Sequence, residues 1–409
     1  MTLSKHPEKP AGSFLFILVL ISMGGALASN IILPSLSSYQ LAFETDYARA
    51  QLTLTVYLAA LALGQLIYGP LSDRFGRRPL VLAGLVILFL GSLICFLATS
   101  IEMIIFGRFI QATGACAGMV MGRAMVRDRY SQERAASLLA YLTMIVLVAP
   151  SLAPMLGGIL EDLAGWRASF LFIQIFAALV LCISFFGAKE TLPVHKRQQA
   201  HFSKLFLSFP FLLKNRVFLA FSLQVSFNTA AYFSFLGGAS YVLIDLMGRT
   251  ATELGFYFMM VIAFYCLGNF VAARLTQKFG ISRLIKAGML IALSGPVVML
   301  ITELTIGLTP VLFFSQMCLV AIGNGLCIVP GVSRAISADP DRVGAASGLV
   351  GSMQIGFGAI GTFVVGLLLS VFETTALPLI FVVLFCCGAA IVSSRMSARH
   401  TVTNPLENP

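Results

Sequence analysis

The residues of this chain best suited to chemistry are charges and turn formers gathered in one stretch, Gly69-Pro-Leu-Ser-Asp-Arg-Phe-Gly-Arg-Arg78. Gly69 and Gly76 permit a tight turn or a close backbone approach. Asp73, Arg74, Arg77 and Arg78 can form charged hydrogen bonds to neighbouring helix ends, and an aspartate in such a turn can meet the positive N-terminal end of a helix from the other half of the chain. That is the chemistry of a latch; the plainer reading is a basic turn with no gating role. A further charge, Arg108, lies about five residues, roughly 8 Å, inside an apolar run. An unpaired charge at membrane depth costs about 2.5–3.5 kcal/mol, so the side chain either faces a partner or water, or snorkels to the interface.

Catalytic sets are missing. The eight cysteines (Cys95, Cys116, Cys182, Cys266, Cys318, Cys327, Cys386 and Cys387) all lie in apolar runs without a CxxC pair or a neighbouring His, and are expected to be buried small hydrophobes. All four histidines, His6, His195, His201 and His400, sit outside apolar runs, so no metal site is expected. Gly323-Asn-Gly325 has neither a preceding strand nor the rest of a nucleotide fingerprint. With no Walker loop and no nucleophile-and-base set, no enzyme activity and no cofactor are expected, and the energy source is expected to be a gradient rather than ATP.

The elements that must position these residues are membrane helices. Of 409 residues 58% are hydrophobic and only 11% charged, with a mean hydropathy of +0.93. A soluble enzyme, a disordered chain and a nucleic-acid-binding protein are excluded by that composition. The length accommodates about twelve spans of about 20 residues. Apolar stretches fall near 14–36, 51–70, 80–98, 103–123, 136–160 and 166–188, then near 217–241, 254–275, 284–302, 308–333, 345–372 and 377–394. The run from Phe14 is longer than a signal-peptide core and reads as a retained first span.

Six spans and six spans flank a basic linker. The expected organisation is an N-terminal segment 1–13, a six-helix bundle 14–188, a linker 189–216, a second bundle 217–394 and a tail 395–409. The net charge is +10, and of 27 Lys and Arg only Arg49, Arg167 and Arg249 fall on one face and Arg108 within a span. Basic loops stay in the cytoplasm, so both termini are expected there. An internal repeat supports the division: Leu71, Phe75 and Gly76 recur as Leu275, Phe279 and Gly280, and Arg74 as Lys278, at about half the chain length. Two related halves place a pathway between them at the bilayer midplane.

GPLSDRFGRRP resembles the signature loop of the major facilitator superfamily, and Arg108 with Gln111 and Gly114 resembles its fourth-helix motif. The run RAMVRDRY from Arg123, the Ala149-Pro150 to Ala153-Pro154 doublet followed by Gly157-Gly158, and the segment from Gln51 to Pro79 are similar to the Bcr/CflA drug-efflux branch. The similarity is strong through the first six spans and diffuse after Lys189. It implies an all-α membrane fold of twelve helices in two pseudo-symmetric bundles, with Asp73 and Arg77 joining Asp128 in a cytoplasmic charge latch. It also implies an outer seal at Pro150, Pro154, Gly157 and Gly158, where the plainer reading is an ordinary proline kink with close packing at the glycines.

The family's first helix carries an aspartate that pairs with the arginine and helps couple protons; here the stretch reads Asn30-Ile-Ile-Leu-Pro34. Asn30 can accept a hydrogen bond from Arg108 but cannot exchange a proton near neutral pH. No other acid falls clearly in mid-span. A cationic drug then has no buried counter-ion, and neutral or anionic cargo near Arg108 is expected; coupling is lost or moves to an end-of-helix acid such as Glu161 or Asp162. Polar and aromatic mid-span residues, Asn30, Tyr57, Gln224, Asn228, Tyr232, Tyr265 and Asn324, are cavity candidates, each equally readable as an interhelical hydrogen bond.

The expected function is efflux of small amphipathic compounds across a bacterial inner membrane by a monomer embedded in lipid, with protons as the candidate coupling ion and no nucleic-acid partner. Two rivals stand: a dedicated exporter of an endogenous metabolite such as an anionic siderophore, and a non-transporting membrane sensor.

Overall fold

A computed structural model of the protein describes residues 12–193, 197 and 202–398. Most of the segments 1–13 and 395–409, and part of the linker 189–216, lie outside the described residues. The chain is helical almost throughout, because a backbone in lipid must satisfy its own hydrogen bonds within each segment. The first half comprises α1 (Gly12–Asn30), α2 (Leu36–Phe43), α3 (Tyr47–Phe75), α4 (Arg77–Phe96), α5 (Ile101–Arg129), α6 (Gln132–Ala164) and α7 (Arg167–Gly187). After α8 (Phe202–Lys214) come α9 (Arg216–Ser240), α10 (Ala251–Phe279), α11 (Ile281–Thr305), α12 (Pro310–Ile336), α13 (Val343–Val371) and α14 (Leu377–Ala398). Eleven helical segments among the described residues are long and apolar enough to cross a membrane, with Gly12–Phe43 as one of them. The 33-residue α6, between the fourth and fifth of these, completes twelve.

Local sequence sets the boundaries. The first span stops at Asn30 and resumes as α2 after a 3-10 turn at Leu33–Ser35, because Pro34 has no N–H to carry the ladder through. Asp46 and Thr250 cap α3 and α10 by accepting from Arg49 N at 2.8 Å and Glu253 N at 3.1 Å. Gly76 ends α3 with φ of 98° and Gly280 ends α10 with φ of 78°, conformations that disfavour a Cβ. These are the glycines of the sequence repeat, so the two halves turn alike at equivalent places.

Within the first half α5 packs on α4, α3 and α1; within the second α9 packs on α13, α14 and α12. The halves meet along two seams, α3 against α13 and α6 against α10. Each seam joins the second span of one half to the fifth span of the other, as a two-fold relation requires. The turns at Gly76, Gly280 and residues 337–342 lie at the basic end, and those at 44–46, 165–166, 247–250 and 372–376 at the opposite, acidic end.

Six of the cysteines are buried, but Cys182 and Cys266 are exposed, correcting the expectation that all eight are buried. Both sit on long apolar helices whose outer faces also carry exposed Leu179, Phe185, Phe264 and Phe270, so their surroundings are lipid rather than core. All eight are free thiols.

Candidate functional site

Both halves contribute to a central cavity of about 300 Å³. Asn30, Ser29, Gly25, Leu58 and Met119 line it from the first half; Thr229, Tyr232, Phe233, Tyr265, Asn324 and Gln354 line it from the second. The surface is apolar and aromatic with scattered neutral polar groups, and no charged side chain is among its described lining residues. Tyr232 and Tyr265 stack with ring centroids 6.4 Å apart. Asn30 donates its amide to Ala26 O and to Ser29 Oγ, each at 2.8 Å. Asn324 donates to Asn228 O at 3.2 Å.

Tyr57, Gln224 and Asn228 are not among these lining residues, Tyr57 and Asn228 standing directly behind them. Asn228 donates to Cys327 Sγ at 3.1 Å, and Gln224 is packed against Gly331. Tyr57 is fully buried, donates its hydroxyl to Gly25 O at 2.8 Å, and places its ring 3.9 Å from the Arg108 guanidinium carbon.

Arg108 is fully buried among α1, α3 and α5. Its Nη1 donates to Ala28 O at 2.8 Å and to Gln111 Oε1; its Nε donates to Thr53 O at 3.2 Å. Gln111 passes the chain on to Ser92 Oγ at 2.8 Å. The partners of Arg108 are therefore backbone carbonyls, an amide and an aromatic face. Asn30, which from sequence can accept from Arg108, is not among these partners; its amide nitrogen donates to its own helix. With its charge held this way, the guanidinium neither snorkels nor reaches the cavity surface.

At the basic end Arg77 pairs with Asp73 at 2.6 Å and with Asp128 at 2.9 Å. Glu190 caps α4, accepting from Arg77 N at 3.0 Å and Arg78 N at 3.3 Å, and pairs with Arg197 at 3.0 Å. Arg78 also donates to Phe185 O at 2.7 Å, while Arg74 stays on its own turn over the Phe75 ring. Among the described residues the ion pair of Asp73 is with Arg77, and no described hydrogen bond joins it to a helix end of the second half, one of the roles open to it from sequence. The sequence reading missed Glu190, whose position beside Lys189 looks like linker charge; the signal available was an acid poised to cap the basic N-terminus of α4.

The acidic end is where the halves touch closely. A methyl built on Gly158 would fall 2.3 Å from Ala251 O, and one on Gly255 would fall 2.5 Å from Met155 Cα and 2.8 Å from Pro154 O. Gly157 presses on Ile31 O of the first span. Pro150 lies in the same helix, its side chain outside the described residues. Thr252 N donates to Asp162 Oδ2 at 3.0 Å, Ser37 Oγ to Asp245 Oδ2 at 2.6 Å, and Tyr47 OH to Gly237 O. The Tyr47 and Tyr241 rings lie 4.7 Å apart. Ser35 Oγ donates to Glu161 Oε2 beside this seam.

Comparison with known proteins places this architecture. The family model described as Major Facilitator Superfamily matches residues 15–362. A bicyclomycin resistance protein homolog of Haemophilus influenzae is 28% identical over 392 residues, 93% of this chain and 94% of that protein. Multidrug resistance protein D of Escherichia coli is 28% identical over 359 residues, 86% of this chain and 88% of that protein. Among solved structures, a bacterial homolog of the human lysosomal transporter Spinster, inward-facing and occupied, superposes with a TM-score of 0.78 at 17% identity, over 97% of this chain and 98% of that one.

Proposed function

The chain belongs to the major facilitator superfamily, and from that premise we propose that this membrane transporter exports small amphipathic compounds from the cytoplasm by gradient-driven antiport, alternating the side to which its central cavity opens. The observation that carries the reading is the pairing of a neutral, aromatic cavity at the join of two similar halves with a seal of bare glycines at one end. The cavity offers apolar surface and stacking to a cargo's body, and Asn30, Asn324 and Gln354 offer hydrogen bonds. The glycines let two helices of opposite halves meet backbone to backbone, a contact that a rocking motion can make and break.

In this reading the basic end faces the cytoplasm of a bacterial inner membrane, the chain acts as a monomer, and the structure is sealed toward the outside. The Arg77 cluster holds α3, α4, α5 and the linker strand together at the inner mouth. Resistance functions in the names of the relatives agree with outward transport. The coupling carboxylate would not be at Asn30; Glu161, bonded to Ser35 beside the seal, is the acid whose protonation would act on the seam between halves.

The experiment is flux in proteoliposomes with matched neutral, cationic and anionic aromatic compounds, with and without a pH gradient. Accumulation that needs the purified protein and the gradient is expected; equilibration at the rate of empty liposomes for every class would reject transport. Asn30→Asp sharpens this test. It puts a carboxylate into a cavity that has none, and is expected to admit a lipophilic cation such as tetraphenylphosphonium and to give its flux a pH dependence. A cation flux and pH profile identical to the parent's would remove residue 30 from the pathway.

A further inference from the structure

Toward the basic end a second cavity, of about 290 Å³, lies between the halves. Its charged lining consists of Arg123 and Arg127, four residues apart and so on one face of α5. Neither forms an ion pair with a described side chain; Arg123 Nε donates to Met119 O at 3.3 Å, and Asp128, next to Arg127 in sequence, is paired with Arg77. Two like charges held side by side repel, which is stable only where something else repays it. Across from them are Gly344, Ser347 and Gly348 in the first turns of α13, where a methyl on either glycine would meet nothing within 4 Å. The first turn of a long helix adds its own positive end. Met119, one turn above Arg123, lines the central cavity, so the two spaces follow one helix face.

We propose that Arg123 and Arg127 form an anion-recognition subsite on the cargo path, and that the exported compound is an amphipathic anion whose carboxylate, sulfonate or phosphate is held there while its aromatic or apolar body occupies the central cavity. This rests on the exporter reading and names the substrate class for it. The fork of a guanidinium matches the paired oxygens of such groups. Arg108 cannot serve, being fully buried and outside the described lining of either cavity. A cargo cation would meet two positive charges on its way in and no carboxylate among the described lining of either cavity.

The test is calorimetric binding to the full chain in phosphatidylcholine nanodiscs, using naphthalene-2-sulfonate and its uncharged analogue naphthalene-2-sulfonamide. The parent is expected to bind the sulfonate at least about tenfold tighter, R123Q/R127Q to lose that preference while still binding the sulfonamide, and R123K/R127K to keep part of it. Sulfonamide binding reports on the cavity alone, so failure of the exporter reading shows there and failure of the subsite shows only in the ratio. A parent without preference, or a double glutamine variant that retains it, overturns the proposal. Nanodiscs containing phosphatidylglycerol separate the sources of anion: an unchanged preference supports a cargo subsite, and its loss in the parent assigns the arginines to lipid headgroups and overturns it.

Discussion

Gly158→Leu is expected to abolish export while leaving the protein folded. Gly158 lies where α6 crosses α10 of the other half, and a methyl there would already sit 2.3 Å from Ala251 O, backbone that cannot rotate away. Overpacking of this kind costs about 1–3 kcal/mol. Applied only to the sealed state, that penalty shifts the balance between sealed and open forms by roughly 5- to 150-fold toward the form open at the acidic end. Gly255→Leu, on the other side of the same crossing, should do the same through Met155 and Pro154. Flux in proteoliposomes reads both. Export by Gly158→Leu at the parental rate would mean that this crossing never has to open and close.

Arg108→Ala is expected to cost both stability and transport, and Arg108→Lys to restore most of the first but not the second. Opposing terms decide the sign. Burying the charge costs about 2.5–3.5 kcal/mol on insertion scales, which favours removal. Against that, truncation removes the charged hydrogen bonds to Ala28 O, Thr53 O and Gln111 Oε1, each worth about 1.5–3 kcal/mol, and empties the space over the Tyr57 ring. Three lost partners and a void outweigh one relieved charge, so the alanine variant should unfold at lower temperature in detergent. Lysine keeps the charge but cannot donate to α1 and α3 at once while lying flat on a ring. Since Ala28 neighbours the cavity residues Ser29 and Asn30, the lysine variant should transport about 10- to 100-fold more slowly at near-parental melting temperature, the loss expected when a supporting group lets a site drift. A lysine variant with parental flux would show that the network only fills space.

Much of this was legible in the sequence, for reasons that also mark where legibility ends. Apolar runs fix membrane helices because lipid admits little else, and the recurrence of Phe75-Gly76 as Phe279-Gly280 points to a turn that both halves build. The site was harder. Tyr57 and Tyr232 are the same residue type at similar depth, yet one lies under Arg108 and the other lines the cavity. Helices that turn apolar residues toward lipid as well as toward the core carry no amphipathic stripe to say which way they are rotated. Ser29, Thr229, Phe233 and Gln354 were missed for the same reason. The partners of Arg108 are chiefly backbone carbonyls, which any residue supplies, so the missing acid on the first helix pointed toward Asn30 when the answer was Ala28 O and Thr53 O.

The central claim is that one cavity between two halves is presented to one side of the membrane at a time. Thr229 lines that cavity from α9, and a single cysteine there, in a cysteine-free background, reports its exposure to a membrane-impermeant maleimide. The reagent should label Thr229→Cys from the cytoplasmic face of inverted vesicles at rest, and from the outer face of right-side-out vesicles only when Gly158→Leu is added. Labelling of the unmutated seal equally from both faces, or from neither face with either background, would contradict the account.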